Sequence, residues 1–271
     1  MHPDWIIPDW PTPAKVRAVM TTRSGGVSAI PYDSLNLGSH VGDALDTVQT
    51  NRRLVQSAIG TQAVFLDQVH GAAVLAINEG TPDGQAADAS ATMQRRLACA
   101  VMVADCLPVL LTTEAGDVVA AVHAGWRGLA GTGNGIGQGV LESVFASFKA
   151  FPHIGREQGA IKIISWLGPC IGPDAFEVGA EVRAAFEAVQ PESVRFFIQI
   201  GPAKYLADLP ALARLRLRSL GIQQIYGNDG TSPWCTVSNP LRFFSHRRDA
   251  GITGNGFGAT GRMAACIWLD A

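Results

Sequence analysis

The sequence has no block of basic residues. Its 21 Lys and Arg are dispersed among 23 Asp and Glu, for a formal net charge of −2. The pairs Arg52-Arg53, Arg95-Arg96 and Arg247-Arg248 stand alone. Nucleic acid is therefore offered no electrostatic footprint. No apolar run approaches the ~20 residues that a membrane span needs. The opening residues, MHPDWIIPDWPTPAK, show no basic segment followed by an apolar one, so no secretory signal is expected. Cysteine is sparse and odd in number, five in all, at positions 99, 106, 170, 235 and 266. A disulfide framework is not expected, and a soluble, cytoplasmic setting fits better. No GK[ST] occurs, and no GxGxxG follows a strand to open a helix, so neither a P-loop nor a dinucleotide fingerprint is read. No low-complexity linker divides the chain, and one domain spanning residues 1–271 is expected.

What the chain does have is apolar material: 47% hydrophobic against 16% charged residues. The organising stretch is ACAVMVADCLPVLLTTEAGDVVAAVHAGWRG, residues 98–128. It reads as three strands. The first run ends at Asp105-Cys106, the second breaks at the turn Glu114-Ala115-Gly116-Asp117, and the third ends at His123. If the last two runs pair about that turn, Cys106 and His123 fall at one open end, on adjacent strands.

The remainder follows in order. Residues 1–14, with two tryptophans, read as an N-terminal arm. Val16 to Thr22 reads as a strand delivering TTRSGGVS, where Arg23 and the loop amides are candidates for an anion. Asp46 or Thr47 is expected to cap a helix through residue 58. His40 reads as a surface loop residue. His70 sits in DQVHG between two short apolar runs, and Asp88 opens the approach to the central strands. Helices are expected over roughly 132–149, 178–189 and 203–220, with an irregularity at Pro210. The first of these would place an anion-attracting N-terminus beside the Cys/His pair. Arg247 and Arg248 are further anion candidates, and Thr260-Gly261-Arg262 leads into a final strand through Leu269. The strands recurring along the chain predict an α/β (α+β) fold, layered with mixed β-sheets and outer helices.

His70, Cys106 and His123 together are a borderline-soft ligand set suited to Zn²⁺, and three protein ligands leave the fourth position open. The rival is a metal-free pair, Cys106 as nucleophile and His123 as base. Asp105 is a candidate proton carrier, or a group that orients His123.

The ordered motifs TTRSGGVS, NLGSHVGD with NRR, QVHG, ADCLPVLL, AVHAGWRG, GPCIGP with FEVG, FFSHRRD and TGR resemble the YfiH-type family. It is also called the polyphenol-oxidase laccase-domain or purine nucleoside phosphorylase family. The resemblance runs from about Val16 to Leu269. It implies a metal site at His70, Cys106 and His123. It implies a layered fold related to a toxin catalytic domain of the Cys-His type. The activity implied is phosphorolysis of adenosine, inosine and guanosine to base and ribose 1-phosphate, with adenosine deamination and methylthioadenosine phosphorolysis alongside. Small-molecule nucleoside and phosphate would be the partners, with no nucleic acid or membrane, in a monomer or small homo-oligomer. Alternatives in the family are a copper polyphenol oxidase, using Cu²⁺, and a hydrolase of peptidoglycan precursors. The chain departs from the family where a Cys often follows the second Pro of GP.IGP: Asp174-Ala175 stand there, and the Cys is at 170.

Overall fold

The computed structural model describes residues 1–132, 137–151, 161–249 and 259–270. The strands in chain order are β1 (Val16–Met20), β2 (Gln62–Phe65), β3 (Val74–Ala76), β4 (Ala89–Thr92), β5 (Leu97–Val103), β6 (Leu107–Thr113), β7 (Val119–Ala124), β8 (Ile163–Leu167), β9 (Glu177–Gly179), β10 (Phe197–Gly201), β11 (Lys204–Ala207), β12 (Gln224–Gly227) and β13 (Met263–Leu269). The helices are α1 (Leu45–Ile59), α2 (Trp126–Ala130), α3 (Val140–Ala150), α4 (Ala180–Glu187), α5 (Leu209–Ser219) and α6 (His246–Asp249).

Two mixed sheets stack face to face. One has the order β1-β13-β5-β2, the other β12-β8-β6-β7-β4-β3. Their facing sides interdigitate through Cys99 and Val101 of β5, Ala265 and Ile267 of β13, Leu110 of β6 and Trp166 of β8. The far side of the first sheet packs Ala98, Ala100 and Met102 against Val55 and Ile59 of α1, together with Trp5. The far side of the second packs Leu107, Val109 and Leu111 against α3, α4 and α5. The result is helix, sheet, sheet, helix. Both faces of each central strand are covered, so β5, β6 and β7 are buried at every position. That is why their sequences read as continuous apolar runs without alternation. A small antiparallel sheet, β10-β11-β9, lies apart.

Several sequence expectations need correction. The last two central runs pair as expected, but β5 belongs to the other sheet. It pairs with β13 and β2, so Ala104-Asp105-Cys106 is a crossover from one sheet to the other. The cap of α1 is Ala44, which offers no side-chain acceptor; Asp46 lies inside the first turn. The third predicted helix begins later, because Lys204–Ala207 pairs as β11. Asp208 then caps α5 by accepting from the Ala211 N–H, and Pro210 occupies its first turn without irregularity. The helix expected at 132–149 is α3, starting at Val140; residues 133–136 lie outside those described. Among the described residues no helix is long and apolar enough to cross a membrane.

The sheet topology decides where a site can form. β2 and β5 are parallel neighbours. Both send the chain across to the other sheet, β2 toward β3 and β5 into β6. Parallel strands end at the same edge, so the two crossovers leave side by side. β7 runs antiparallel to β6, with Pro108 opposite His123, so the end of β7 returns to that edge.

The loop before α1 is fixed by Asn51. Its amide nitrogen donates to Ser28 Oγ, the Ser34 carbonyl and the Asn36 carbonyl, and its oxygen accepts from the Val27 N–H. Asn51 is fully buried. Asn51→Ala should cost roughly 2–4 kcal/mol, because several buried polar groups lose their partner at once. Urea denaturation measures this; a change under 1 kcal/mol, about the scale of one net hydrogen bond, would show that water replaces the amide.

Candidate metal centre

Three side chains meet at that common edge. His70 comes from the β2–β3 crossover, Cys106 from the β5–β6 crossover, and His123 from β7. One ligand atom of each lies within 4.8 Å of the other two. Cys106 Sγ is 3.8 Å from His70 Nε2. The two imidazoles meet edge to face, with centroids 4.7 Å apart. They lie in the floor of a cavity of about 350 Å³. Gly125 makes the convergence possible. A Cβ there would approach His70 Cδ2 to 2.9 Å and Cys106 Sγ to 3.2 Å.

Asp88, fully buried, holds two of the three in place. Its Oδ1 lies 2.8 Å from His123 Nδ1 and accepts from the His70 N–H at 2.8 Å, while Oδ2 accepts from the Gly71 N–H at 2.6 Å. A carboxylate partner fixes the proton of His123 on Nδ1 and leaves Nε2 as the donor atom. Burial alone would raise the Asp88 carboxyl, but the hydrogen bond and charge of His123 and the two backbone N–H groups outweigh it and hold it low. Asp88 is the functional residue that sequence reasoning missed. It read as a loop end, and nothing in its spacing pairs it with His123. Gln68 was missed likewise: its amide exchanges two hydrogen bonds with the Met102 backbone and clips the His70 loop to the end of β5.

The thiol and imidazole polarise each other. Burial would raise Cys106, yet the His123 charge and hydrogen bonds from both histidines bring it down to about 6. Burial would lower His123, yet the Cys106 thiolate and Asp88 push it up to about 9. A thiolate is the metal-ligating form, and a metal would displace the second imidazole proton. Cys106, His123 and Asp88 alone also satisfy the geometry of a nucleophilic triad. His70 separates the readings: a triad has no use for a second imidazole 3.8 Å from sulfur, whereas a three-ligand site requires one. The donor set therefore fits zinc, and fits copper formally.

The other expected site residues are distributed differently. Asp105 does not reach His123. Its Oδ1 accepts from Thr236 Oγ1 at 2.5 Å and its Oδ2 from the Arg247 N–H at 2.6 Å, so both oxygens are engaged in anchoring loops. Arg247 lines the cavity. Arg248 does not: its three nitrogens are bound by Asp249 and by the carbonyls of Thr236, Val237 and Phe243. Arg23 also lies outside the cavity lining. It donates to the Asp33 and Pro240 carbonyls and to Asp33 Oδ1, and it stacks on Phe244 at 4.7 Å. The Gly-rich turn there is a clasp between distant segments of chain. His40 is exposed as expected, yet it faces the cavity, as does Arg262. The helix next to the cluster is α2, a single short turn, and its Gly128 packs so closely on the His70 loop that a Cβ would sit 2.5 Å from the Gly71 carbonyl.

Asp88→Asn should lower zinc affinity by about 10- to 100-fold while Cys106 and both histidines remain, because the tautomer and the loop lose their anchor. Competition with a chromophoric chelator measures it; unchanged affinity would remove Asp88 from the site's support. Arg23→Ala should cost about 1–2 kcal/mol in stability through the loss of three hydrogen bonds and the stack on Phe244. Its phosphate dependence of turnover should match the parent, and a loss of phosphate saturation without a loss of stability would return Arg23 to the substrate.

Comparison with known proteins agrees with this architecture. Residues 17–270 match the family model described as multi-copper polyphenol oxidoreductase laccase. The chain is 48% identical over 266 residues to the purine nucleoside phosphorylase YfiH of Shigella flexneri, covering 97% of this chain and 98% of that protein. It is 43% identical over 268 residues to the purine nucleoside phosphorylase PA4543 of Pseudomonas aeruginosa, covering 98% of each. The crystal structure of Neisseria meningitidis protein NMB0706 superposes with a TM-score of 0.83 at 46% identity, over 99% of this chain and 100% of that one. The chain belongs to the YfiH-type, laccase-domain family.

Proposed function

We propose that this protein is a zinc-dependent purine nucleoside phosphorylase, converting adenosine, inosine or guanosine and phosphate to base and ribose 1-phosphate. The observation that carries the reading is the composition of the cavity around the His70, Cys106, His123 cluster. One flank is apolar and aromatic, with Trp126, Ile171, Phe176 and Leu209. A second, cationic group of lining residues is His40 and Arg262, while Arg247 lies over the Phe176 ring, 5.9 Å from its centroid. A purine has two flat apolar faces that suit the first flank. Phosphate suits the second, where guanidinium charge is at hand. The relatives named purine nucleoside phosphorylases support the same substrate pair.

A zinc ion held by His70, Cys106 and His123 would supply a Lewis acid at the cavity floor. The chain's own residues do the rest. Asp88 keeps His123 oriented and the His70 loop in register. Trp126 and Phe176 exclude water from the base side. Arg247 contributes positive charge where phosphate oxygens gather. Adenosine deamination and methylthioadenosine phosphorolysis are proposed for the same cavity, since both place a purine against the same flank. Copper is the alternative metal, and a polyphenol oxidase the alternative activity. The described residues gather a single His/Cys cluster, which speaks for one ion per chain.

The test is product analysis with inosine and adenosine, with and without phosphate, on protein assayed for zinc. Base and ribose 1-phosphate should form only with phosphate present, with about one zinc per chain bound at the single open site. Cys106→Ala should lose the zinc and slow turnover by at least about a hundredfold. Base release that ignores phosphate would make the enzyme a hydrolase, and oxidation of phenols by the copper-loaded protein in place of both would favour the laccase reading.

A further inference from the structure

Two guanidinium groups, Arg247 and Arg262, line the cavity, and among the described residues neither is paired with a carboxylate. Arg262 opens the last strand, where its backbone N–H donates to Asn36 Oδ1. Its Nη1 donates to the carbonyls of Thr260 and Gly261, 3.0 and 3.2 Å away. Among the described residues, Nε and Nη2 have no hydrogen-bond partner and no carboxylate pairs with the group. The side chain is half-buried, and it lies over Gly38, whose hydrogen faces the arginine stem: a Cβ there would come within 2.7 Å of Arg262 Cγ. A cation that is partly desolvated and unpaired is costly unless a ligand completes it.

The rest of the cavity cannot complete it. Among the described residues Asp105 is the only carboxylate in the lining; its charge and that of Cys106 favour the guanidinium, but both its oxygens are already engaged, by Thr236 and by the Arg247 N–H. His40 stands on the same side, close enough to Arg262 for that charge, after burial, to push its imidazole down. Arg247 adds charge at the rim, but its Nη2 is turned toward the Glu177 carbonyl at 3.0 Å. The free half of the Arg262 fork is therefore the directional donor on offer, and a neutral imidazole beside it can both donate and accept.

We propose that Arg262, with His40 beside it, is the oxyanion subsite of the cavity and holds the phosphate that attacks the nucleoside. The assignment rests on the phosphorylase reading only for the identity of the anion. It displaces Arg23 and Arg248, whose guanidinium groups are engaged within the fold. It also gives Gly38 a purpose, since a side chain there would move the arginine away from the cluster.

Calorimetric titration of inorganic phosphate into the protein as purified, at constant ionic strength, tests the subsite directly. Arg262→Gln should weaken phosphate by about ten- to a hundredfold, the size of a lost charge-assisted bond, with zinc content and melting temperature kept. Arg262→Lys should recover only part of it, because charge returns without the fork. If Arg262→Gln does not fold, Gly38→Ala serves instead: it keeps the arginine and displaces its stem, and should weaken phosphate in the same direction. Phosphate bound through Arg262 without any nucleoside cleavage would uphold the subsite and sink the phosphorylase reading. Phosphorolysis with a phosphate KM unchanged by Arg262→Gln would uphold the enzyme and sink the subsite. A parent protein that binds no phosphate, or a variant with the parent's isotherm, overturns the proposal outright. A product arm separates sources of the anion: ribose 1-phosphate should compete with inorganic phosphate, and a nucleoside 5′-monophosphate binding through Arg262 in preference to both would overturn it.

Discussion

The carboxylate of Asp88 is the interaction on which the site depends. It is fully buried, so its charge must be matched from within. Three donors match it: the His123 ring, the His70 N–H and the Gly71 N–H. Each of these belongs to a different requirement of the cluster. The ring bond sets which nitrogen of His123 faces the other ligands. The two backbone bonds hold a crossover that has no regular structure of its own. Without that carboxylate, His70 would hang on a loop free to turn away, and His123 could present either tautomer. The backbone of Asp88 joins in as well, since its carbonyl accepts the His123 N–H at 2.7 Å.

The placement of the cluster follows from the sandwich. A residue in the middle of β5, β6 or β7 is covered by a packed layer on both sides and can meet no ligand. Only where strands end, and where the chain passes from one sheet to the other, do side chains escape the layers. The parallel pairing of β2 with β5 brings two such passages together. This is the general logic by which loops at one edge of a rigid sheet carry function. The apolar flank of the cavity belongs to the helix-side layer, through Ile171, Phe176 and Leu209, while Met102 on the other flank belongs to the layer against α1. The cavity thus samples two cores, and its chemical asymmetry comes from that.

Much of this was legible in the sequence, and the reasons are physical. Cys106 and His123 could be placed side by side because an antiparallel hairpin has a fixed register, and register is simple arithmetic. The strands were legible because doubly covered strands need unbroken apolar runs. His70 joined the trio through its motif and its chemistry as a third ligand, not through spacing. Asp88 and Arg262 were out of reach for a different reason. Their partners lie 35 positions away in one case and 226 in the other, on elements whose pairing is set by the whole sheet order. Arg23 was misread because a guanidinium after a Gly-rich turn looks the same whether it faces phosphate or two carbonyls. The choice is made by Pro240, over two hundred residues later. The β11 strand was taken for helix because Asp208 and Pro210 start a helix as readily as they interrupt one.

The two aspartates of the site show a shared device. His70 and Asp105 both take positive φ angles, 59° and 90°, which non-glycine residues adopt at a cost of order 1–3 kcal/mol each when strained. Both sit in crossovers, one residue for each passage between the sheets. In each crossover a carboxylate accepts two or three short bonds that hold the irregular backbone where it is. Asp88 does so for the His70 passage. Asp105 does so for its own, tying the chain before Cys106 to Thr236 and to the Arg247 N–H. An acid at such a position is usually read as a proton carrier, and the sequence offered Asp105 either as one or as a group that orients His123. Its bonds argue otherwise: both oxygens are committed within the fold, to Thr236 Oγ1 and to the Arg247 N–H. The strain and its restraint belong together, because a crossover relaxed into an ordinary turn would carry its ligand out of reach of the other two. In this fold the acids supply position, and the soft and nitrogen donors beside them are left to do the chemistry.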